Sequence, residues 1–488
     1  MTNPFLTKVV WAPTGYNMAW STGVPLPAVL LSPVTIPFGS VVSFNLLAFL
    51  APATAAWTAY LLTRHLTGAI FPSLVAGFLF GFSPYEINML SAGQLDLSLV
   101  FVLPLLAYLV VRHLEGSLGS MAFAILLGLA LAAQFGVFPE VFASATLMGA
   151  LAAVAGIVFA HAEWRRPILR TLAAAASGYA IAGALLSIYL VTMAVYPRPA
   201  KARVPVSDLT HAARDWTTTK ALVEPGSGSA IGRAVCHCGV NGLYLSIPVL
   251  AVLILIFATN WRRPIVRTLA VVFVLIVAMA LGPALKVGSH FVVLPWRLFG
   301  ALPGLSLAAP KRFIVYPMLV SSVAIAVWWS AHRSWWRTGL VALAILAVFP
   351  AGSAVGASTP VRLPSFIASG QYRRFITPGE TAIVVGRDKG EDMLWQAVAG
   401  MYFRVAGGYT GSIPPDFSDV RFVAQLFRGN LDPADLPEFD RFLAEHRVGA
   451  VIVDDRSEPY VAALTSWLGV TPQEVGGVTF FRLSPGQP

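Results

Sequence analysis

The chain has 488 residues, 57% of them hydrophobic and only 11% charged, and its mean hydropathy of +0.72 excludes an ordinary soluble domain. The net charge of +10 is unevenly divided: residues 1–357 hold 21 Lys/Arg against 8 Asp/Glu, and residues 358–488 hold 12 against 15. No basic run interleaves with aromatic residues in a soluble segment, so we expect no nucleic-acid partner.

Residues 1–40 are rich in proline and aromatic residues and contain no unbroken apolar run of about twenty residues, which predicts a folded or interfacial segment. About ten membrane spans follow, each near the length that a hydrocarbon core requires. The predicted spans are 41–62, 69–85, 97–111, 121–137, 141–160, 168–195, 243–259, 266–285, 313–331 and 338–357. The sequence therefore predicts an all-α polytopic membrane bundle over residues 41–357, with polar loops at 196–242 and 286–312.

Two nearly identical octapeptides stand between apolar runs. Residues 163–170 read EWRRPILR and residues 260–267 read NWRRPIVR. The tryptophan suits a membrane interface, and the proline suits the first turn of a span that we expect to start just after each loop. Internal duplication or convergence on interface chemistry explains the similarity. The alternative is a bound cytoplasmic partner or an anionic lipid head group.

Arginine in short loops keeps those loops in the cytoplasm, and this rule fixes a predicted orientation. Alternation of the spans places the two octapeptides on the same side as Arg64, Arg112, Arg333 and Arg337. The short connections 86–96 and 138–140 hold no Lys or Arg and fall on the other side. We expect a bacterial inner-membrane protein with residues 1–40 outside. Because an outside start needs an earlier span, we also expect a membrane helix before Met1 in the natural product, or a misassigned start.

From about residue 358 the pattern becomes that of a soluble α/β domain. Short apolar runs at 382–386, 450–453 and 477–483 predict strands, and residues 391–401 and 433–446 predict helices. Strands alternating with helices indicate a small, partly parallel sheet. The span count places this domain, residues 358–488, outside the membrane.

Three acidic residues, Glu86, Asp96 and Glu140, fall at the predicted outer ends of spans. Carboxylates near membrane depth are costly and usually face a cavity or a partner, so each could be catalytic. Glu140 is the most suggestive, because its turn is too short to reach far into water. Interfacial solvation or helix capping is the alternative explanation for all three.

The outer loop 196–242 holds two further candidate sets. After Ser207, Asp208, His211 and Asp215 are spaced to share one helix face, where they could hold a metal or activate a hydroxyl; a solvated face explains them equally well. We retain Asp208 as a catalytic candidate. Cys236 and Cys238 flank a histidine, but a local disulfide or free thiols are favoured over zinc, and we expect no metal.

Four cations surround the last predicted outer loop: Lys286, Arg297, Lys311 and Arg312. At the mouth of an apolar bundle they could bind a lipid-linked phosphate, since a low dielectric strengthens charge-assisted hydrogen bonds. Snorkelling interface anchors are the alternative. No phosphate-binding glycine loop, nucleotide fold, HExxH pattern or Gly-x-Ser-x-Gly elbow occurs in a fitting context, so ATP-driven and serine-hydrolase functions lose support.

Several short motifs carry a family resemblance: NPF at 3–5, APTG at 12–15, GFSPY at 81–85, GQL at 93–95, LPL at 103–105, PKRF at 310–313 and GGY at 407–409. With these the chain resembles bacterial polytopic proteins of the GT-C superfamily, glycosyltransferases that use polyprenyl-phosphate sugars outside the membrane. The resemblance covers most of the chain, and its motifs indicate a superfamily without indicating a substrate.

The resemblance implies transfer of a sugar from a polyprenyl-phosphate donor to a glycan, lipid or protein acceptor of the cell envelope, without a further cofactor. A carboxylate would take the acceptor proton while cations stabilise the departing phosphate. The chain departs from the family in having no Asp or Glu in residues 1–40, Gln94 where relatives often carry His, and alanine at Ala308 or Ala309 where they carry Arg. A non-catalytic protein that binds or moves a lipid-linked glycan is therefore the second hypothesis.

Overall fold

A computed structural model describes residues 3–21, 23–196, 219–235, 239–287, 290–300, 302, 305, 308–355, 361–386, 390–410, 436–455 and 458–483. The chain divides into two compact units. The helical unit comprises Val24–Leu186 and Val206–Ser358. The sheet unit comprises Met1–Gly23, Ser187–Pro205 and Thr359–Pro488.

The helices, in chain order, are α1 (Pro25–Leu30), α2 (Ser32–Phe38), α3 (Ser40–Thr67), α4 (Ile70–Gly81), α5 (Pro84–Ser91), α6 (Leu95–Ser98), α7 (Val102–Leu114), α8 (Ser120–Val137), α9 (Pro139–Phe159), α10 (Ala162–Leu185), α11 (Ser187–Val195), α12 (Ala230–Val235), α13 (Ile247–Asn260), α14 (Pro264–Ala280), α15 (Trp296–Phe299), α16 (Val315–Ala331), α17 (Trp335–Val348), α18 (Gly352–Val355), α19 (Ser365–Ala368), α20 (Glu391–Val398), α21 (Leu436–Glu445) and α22 (Glu458–Leu468). The strands are β1 (Leu6–Thr7), β2 (Tyr16–Asn17), β3 (Ala284–Val287), β4 (His290–Val293), β5 (Thr381–Val385), β6 (Arg404–Val405), β7 (Val448–Asp454), β8 (Gln473–Val475) and β9 (Val478–Arg482).

The predicted helical membrane bundle is confirmed. Seven stretches of the described chain are long and apolar enough to cross a membrane: Ser40–Thr67, Ile70–Ser91, Leu95–Leu114, Ser120–Val137, Pro139–Phe159, Ala162–Leu185 and Pro310–Ala331. The shorter apolar helices α13, α14 and α17 occupy the three remaining predicted spans. The match of all ten positions follows from hydropathy, because a stretch that must shed water is apolar along its whole length.

Two predicted boundaries in the helical unit are wrong. The expected span 168–195 is broken at Leu186, where α10 ends and α11 begins. Helix α10 also starts at Ala162, before the octapeptide, so that Pro167 lies inside the helix and not in its first turn. Proline removes its own backbone hydrogen bond and crowds the carbonyl of the residue four before it, whereas the preceding alanine, glutamate and arginines are good helix formers that offset part of this cost. In the second octapeptide Pro264 does begin α14, as predicted.

Helix α4 packs on α3 through glycines. A Cβ added to Gly81 would lie 2.4 Å from the carbonyl oxygen of Pro52, and one added to Gly77 would lie 2.7 Å from that of Ala56. Apolar side chains gain little from leaving lipid, so membrane helices associate through close backbone approach at small residues. This contact fixes the end of α4, and therefore the place where α5 begins.

The sheet unit contains a five-stranded sheet with the order β6-β5-β7-β9-β8. Strands β6, β5 and β7 are parallel, whereas β9 runs antiparallel to both β7 and β8. The three predicted strands correspond to β5, β7 and β9, and the two predicted helices to α20 and α21. The short strands β6 and β8 were not predicted, because two or three residues carry too little periodicity to be recognised.

The N-terminal segment completes this sheet. The N–H of Val405 donates to the carbonyl of Val9 at 2.9 Å, and the N–H of Ala12 donates to the carbonyl of Val405 at 3.1 Å. Trp11 is 1% exposed, and its ring N–H donates to the Thr410 hydroxyl at 3.1 Å. Residues 9–12 therefore lie along β6 as an added edge. Residues 1–40, which we treated as one segment, divide between the two units after Gly23.

Helix α20 buries an acidic residue. Asp392, in its first turn, is 8% exposed, and burial raises the pKa of its carboxyl to about 6 although backbone N–H groups at Met393 and Asp392 oppose the shift. The folded unit therefore holds this proton to a higher pH than the unfolded chain does.

We predict that the sheet becomes less stable as the pH rises from about 4 to about 6, and that its stability is constant above that range, because the unfolded carboxyl loses its proton first. The full change is about 3 kcal/mol, from a shift of roughly two units. Hydrogen exchange of β5 and β7 amides in the full chain, corrected for intrinsic rates, measures it. Asp392→Asn should remove the dependence, and the exposed Glu474→Gln should retain it. Greater protection at pH 7 than at pH 4.5 in the unmodified chain would contradict the prediction.

Candidate functional site

The predicted acids and cations that the structure brings together lie at one end of the helical unit. These residues lie at the starts of α5 and α9, in the short helix α6, and in the 3-10 helix Pro310–Ile314, which leads into α16. Three of these elements begin with proline at the first helical position, where its missing N–H costs nothing. The local sequence therefore determines where each element starts, and packing between elements determines which side chains meet.

Glu140 and Arg312 form a buried ion pair. Glu140 lies in the first turn of α9, where a carboxylate also complements the free backbone N–H groups. Its Oε2 accepts a hydrogen bond from Nη1 of Arg312 at 2.5 Å, and the two side chains are 8% and 23% exposed. A pair this buried costs desolvation, so its stability depends on both partners remaining in place.

A second contact joins the same two helices one turn further on. The hydroxyls of Ser144 and Tyr316 lie 2.7 Å apart in a buried hydrogen bond. Ser144 is four residues after Glu140 on α9, and Tyr316 is four residues after Arg312, so each pair shares one helix face. Together the ion pair and the hydroxyl pair fix the height of α9 against the start of α16.

Asp96 lies beside this pair. It is half-buried in α6, and it interacts electrostatically with Arg312 and with Glu140. It forms no ion pair within 4.0 Å with any residue that the structure describes. The phenol of Tyr85 donates to the carbonyl of Leu97 at 3.1 Å, which ties α6 to the first turn of α5. Asp96 therefore combines a fixed backbone with a carboxylate that interacts with the backbone N–H groups of Asp96 and Leu97 but forms no ion pair with a described residue.

Glu86 is differently placed. Its backbone N–H donates to the hydroxyl of Ser83, the N-cap of α5, at 3.4 Å. Glu86 is 1% exposed, and neither of its carboxylate oxygens has a hydrogen-bond partner in the described part of the chain. Helix capping thus explains the hydrogen bond of the Glu86 backbone N–H. It does not explain the buried carboxylate, because in a full capping box that carboxylate would accept a hydrogen bond from the backbone N–H of the N-cap residue.

The remaining candidates are either exposed without an ion pair to described residues or outside the described residues. Lys311 and Arg297 are exposed and form no ion pair with described residues. Lys286 lies in β3, and its side chain is outside the described residues, as are Asp208, His211, Asp215, Cys236 and Cys238. Across the described ranges no group of three His, Cys, Asp or Glu could hold a metal ion.

Sequence reasoning missed the phenols and the hydroxyl at this site. Tyr316 and Ser144 could have been found from the spacing of four residues that places them on the same faces as Arg312 and Glu140. Tyr85 could not, because its bond to Leu97 depends on the turn between α5 and α6. In the assembled site the half-buried carboxylate of Asp96 lies next to the guanidinium of Arg312, which is itself bound by the buried carboxylate of Glu140. Such a set can accept one proton and bind one anionic oxygen.

The fold has known counterparts. The chain matches the crystal structure of the Archaeoglobus fulgidus oligosaccharyltransferase tethered with an acceptor peptide, with a TM-score of 0.53 and 16% identity, over 95% of this chain and 64% of that one. It matches the cryo-EM structure of the arabinofuranosyltransferase AftD from Mycobacteria with a TM-score of 0.58 and 13% identity, over 98% of this chain and 36% of that one. No protein-family model and no curated protein matches the sequence.

Both counterparts are GT-C glycosyltransferases, and the chain spans 64% and 36% of their lengths. Identities this low establish the fold alone. The resemblance inferred from short motifs is confirmed at that level: the chain is a multi-pass membrane protein with the fold of the GT-C superfamily.

Proposed function

We propose that the protein is a membrane glycosyltransferase that takes a sugar from a polyprenyl-phosphate donor, with its chemistry at Asp96 and Arg312. The observation that carries this proposal is the placement of a carboxylate, without an ion-pair partner among the described residues, beside a guanidinium held by a buried acid. The fold supports it, since both solved counterparts are named as glycosyltransferases. The acceptor would be a glycan, lipid or protein of the cell envelope.

The proposed reaction uses the two groups in complementary roles. The acceptor hydroxyl attacks the anomeric carbon, and its proton goes to Asp96. The bond between that carbon and the phosphate oxygen breaks, and the charge that develops on the phosphate is stabilised by Arg312. Glu140 positions the guanidinium and leaves its remaining N–H groups available, because only Nη1 is bonded to the carboxylate. Glu86 and the exposed cations Lys311 and Arg297 stay candidates without an assigned step.

Replacing the proposed base tests the reaction directly. Asp96→Asn in reconstituted protein should lower the rate constant for sugar transfer by about 100-fold or more, with little effect on donor binding, because it removes a proton acceptor of similar shape. Transfer of labelled sugar from a polyprenyl-phosphate donor measures it. Glu115→Gln is the matched control, since Glu115 is an exposed acid that pairs with His65 at 2.7 Å. Donor binding without transfer in the unmodified protein would favour a non-catalytic glycan-binding or glycan-moving protein instead.

Substitutions in the ion pair between Glu140 and Arg312 should affect protein stability and donor binding differently. Arg312→Gln should destabilise the protein by about 3 kcal/mol, because it leaves the Glu140 carboxylate buried without its cation. Adding Glu140→Gln should restore most of the thermal stability but not donor binding, since the phosphate still lacks its guanidinium. Melting in detergent and binding of labelled donor give the two readouts. A double variant that binds donor normally would assign the phosphate to another cation.

We further propose that this site faces the exterior of the cell, on the arginine distribution alone. In a background of Cys236→Ser and Cys238→Ser, an impermeant thiol reagent applied to intact cells should label Ala92→Cys and spare Gly119→Cys until the membrane is opened. Both positions are exposed, and the candidate span Leu95–Leu114 separates them. The opposite labelling pattern would place the proposed chemistry in the cytoplasm.

A further inference from the structure

The two arginine-rich octapeptides, which the proposed reaction does not use, meet at the end of one helix. The guanidinium of Arg267 lies over the ring of Phe159, the last residue of α9, with its carbon 5.7 Å from the ring centre. On the other octapeptide, the Cδ1 of Ile168 lies 3.5 Å from where a Cβ on Gly156 would be. The tertiary structure therefore brings together two sequences that are nearly a hundred residues apart.

The two contacts also set the level of the arginines. Helix α10 follows α9 after a turn of two residues and runs back along it. Since Ile168 meets Gly156, Arg165 lies near the level of Phe159, because it is three residues nearer to the turn and on the same face of α10 as Ile168. Arg165 and Arg267 thus flank the same end of α9 from its two neighbouring helices.

These arginines lack ion-pair partners in the described part of the chain. Neither octapeptide forms an ion pair in the part of the chain that the structure describes, and the Nε of Arg267 is buried with no hydrogen-bond partner there. The octapeptides together hold six arginines and one acid, the exposed Glu163. The other acid on α9, α10, α13 or α14 is Glu140, roughly 28 Å away along α9. Uncompensated positive charge at this density calls for an anionic ligand.

The surrounding side chains indicate what kind of anion. Trp164 and Trp261, at equivalent positions, are 44% and 51% exposed, and the apolar Leu169 and Ile265 are 56% and 62% exposed. The arginines thus stand between exposed tryptophan and exposed aliphatic side chains. Exposed tryptophan is typical of the membrane interface, and exposed aliphatic side chains are typical of contact with acyl chains, whereas a soluble partner would leave the aliphatic groups in water.

We propose that the two octapeptides form one binding site for the phosphate of an anionic phospholipid headgroup, with Arg165 and Arg267 as its main ligands. Guanidinium groups bind phosphate oxygens with paired N–H donors. The pairing also gives a physical role to the repeated sequence, since each copy supplies one wall. The site requires no assumption about sugar transfer.

Lipid binding by the full-length protein in a neutral detergent tests this proposal. Phosphatidylglycerol, phosphatidylcholine and inorganic phosphate are the three probes, with retained lipid counted by native mass spectrometry and affinity taken from the shift in melting temperature. We expect phosphatidylglycerol alone to be retained and to stabilise. The variant Arg165→Gln/Arg267→Gln should bind it about 25-fold more weakly, because each charge near the surface is worth roughly fivefold in affinity.

Two controls keep the result specific. Arg333→Gln removes one exposed arginine from the turn before α17 and should change nothing. The variant Arg165→Lys/Arg267→Lys keeps the charge and should retain most of the binding, and it replaces the glutamine variant if that one does not fold. Equal phosphatidylglycerol affinity in the glutamine variant, an equal loss in Arg333→Gln, or equal stabilisation by inorganic phosphate would each overturn the proposal.

Discussion

The helical unit depends on the rule that a charge near membrane depth must be paired or face a cavity. The pair between Glu140 and Arg312 satisfies this rule, and the hydroxyl pair between Ser144 and Tyr316 repeats the connection one turn along the same helices. Because both contacts require the same axial position of α9, neither helix can slide without breaking both. A guanidinium fixed in this way keeps its free N–H groups in one direction, which is what binding a phosphate requires.

Packing without a hydrophobic driving force explains how the acids reach this place. Gly81 and Gly77 let α4 approach the backbone of α3, and α5 begins directly after that contact. The phenol of Tyr85 then holds α6 through the carbonyl of Leu97. The position of Asp96 in α6 therefore depends on these successive contacts to the backbone. The neighbouring Glu86 differs from Asp96. Hydropathy alone places it at a span end, but in the structure its carboxylate is buried in the first turn of α5.

The sheet unit follows a different constraint, because every buried N–H and C=O needs a partner. The short strand β6 would leave an open edge, and residues 9–12 cover it with three backbone hydrogen bonds, including one from Trp11 to the carbonyl of Gly407. Helix α11 contributes in the same unit, where the Tyr189 phenol donates to the carbonyl of Ala19 at 3.0 Å. The proline-rich start of the chain is thus part of a sheet whose other strands begin more than 350 residues later.

The sequence by itself determined the features that depend on local pattern: ten apolar helices from hydropathy, the alternation of strand and helix after residue 358, and the proline-led starts of α5 and α9. It also named Glu140, Asp96 and Arg312, because each is a charge where charges are expensive. Only the tertiary structure decided that Arg312 pairs with Glu140, 172 residues away, and that the two octapeptides share α9. Local periodicity records which face of a segment avoids water, whereas the choice of partner is made by contacts between segments that no single stretch of sequence contains.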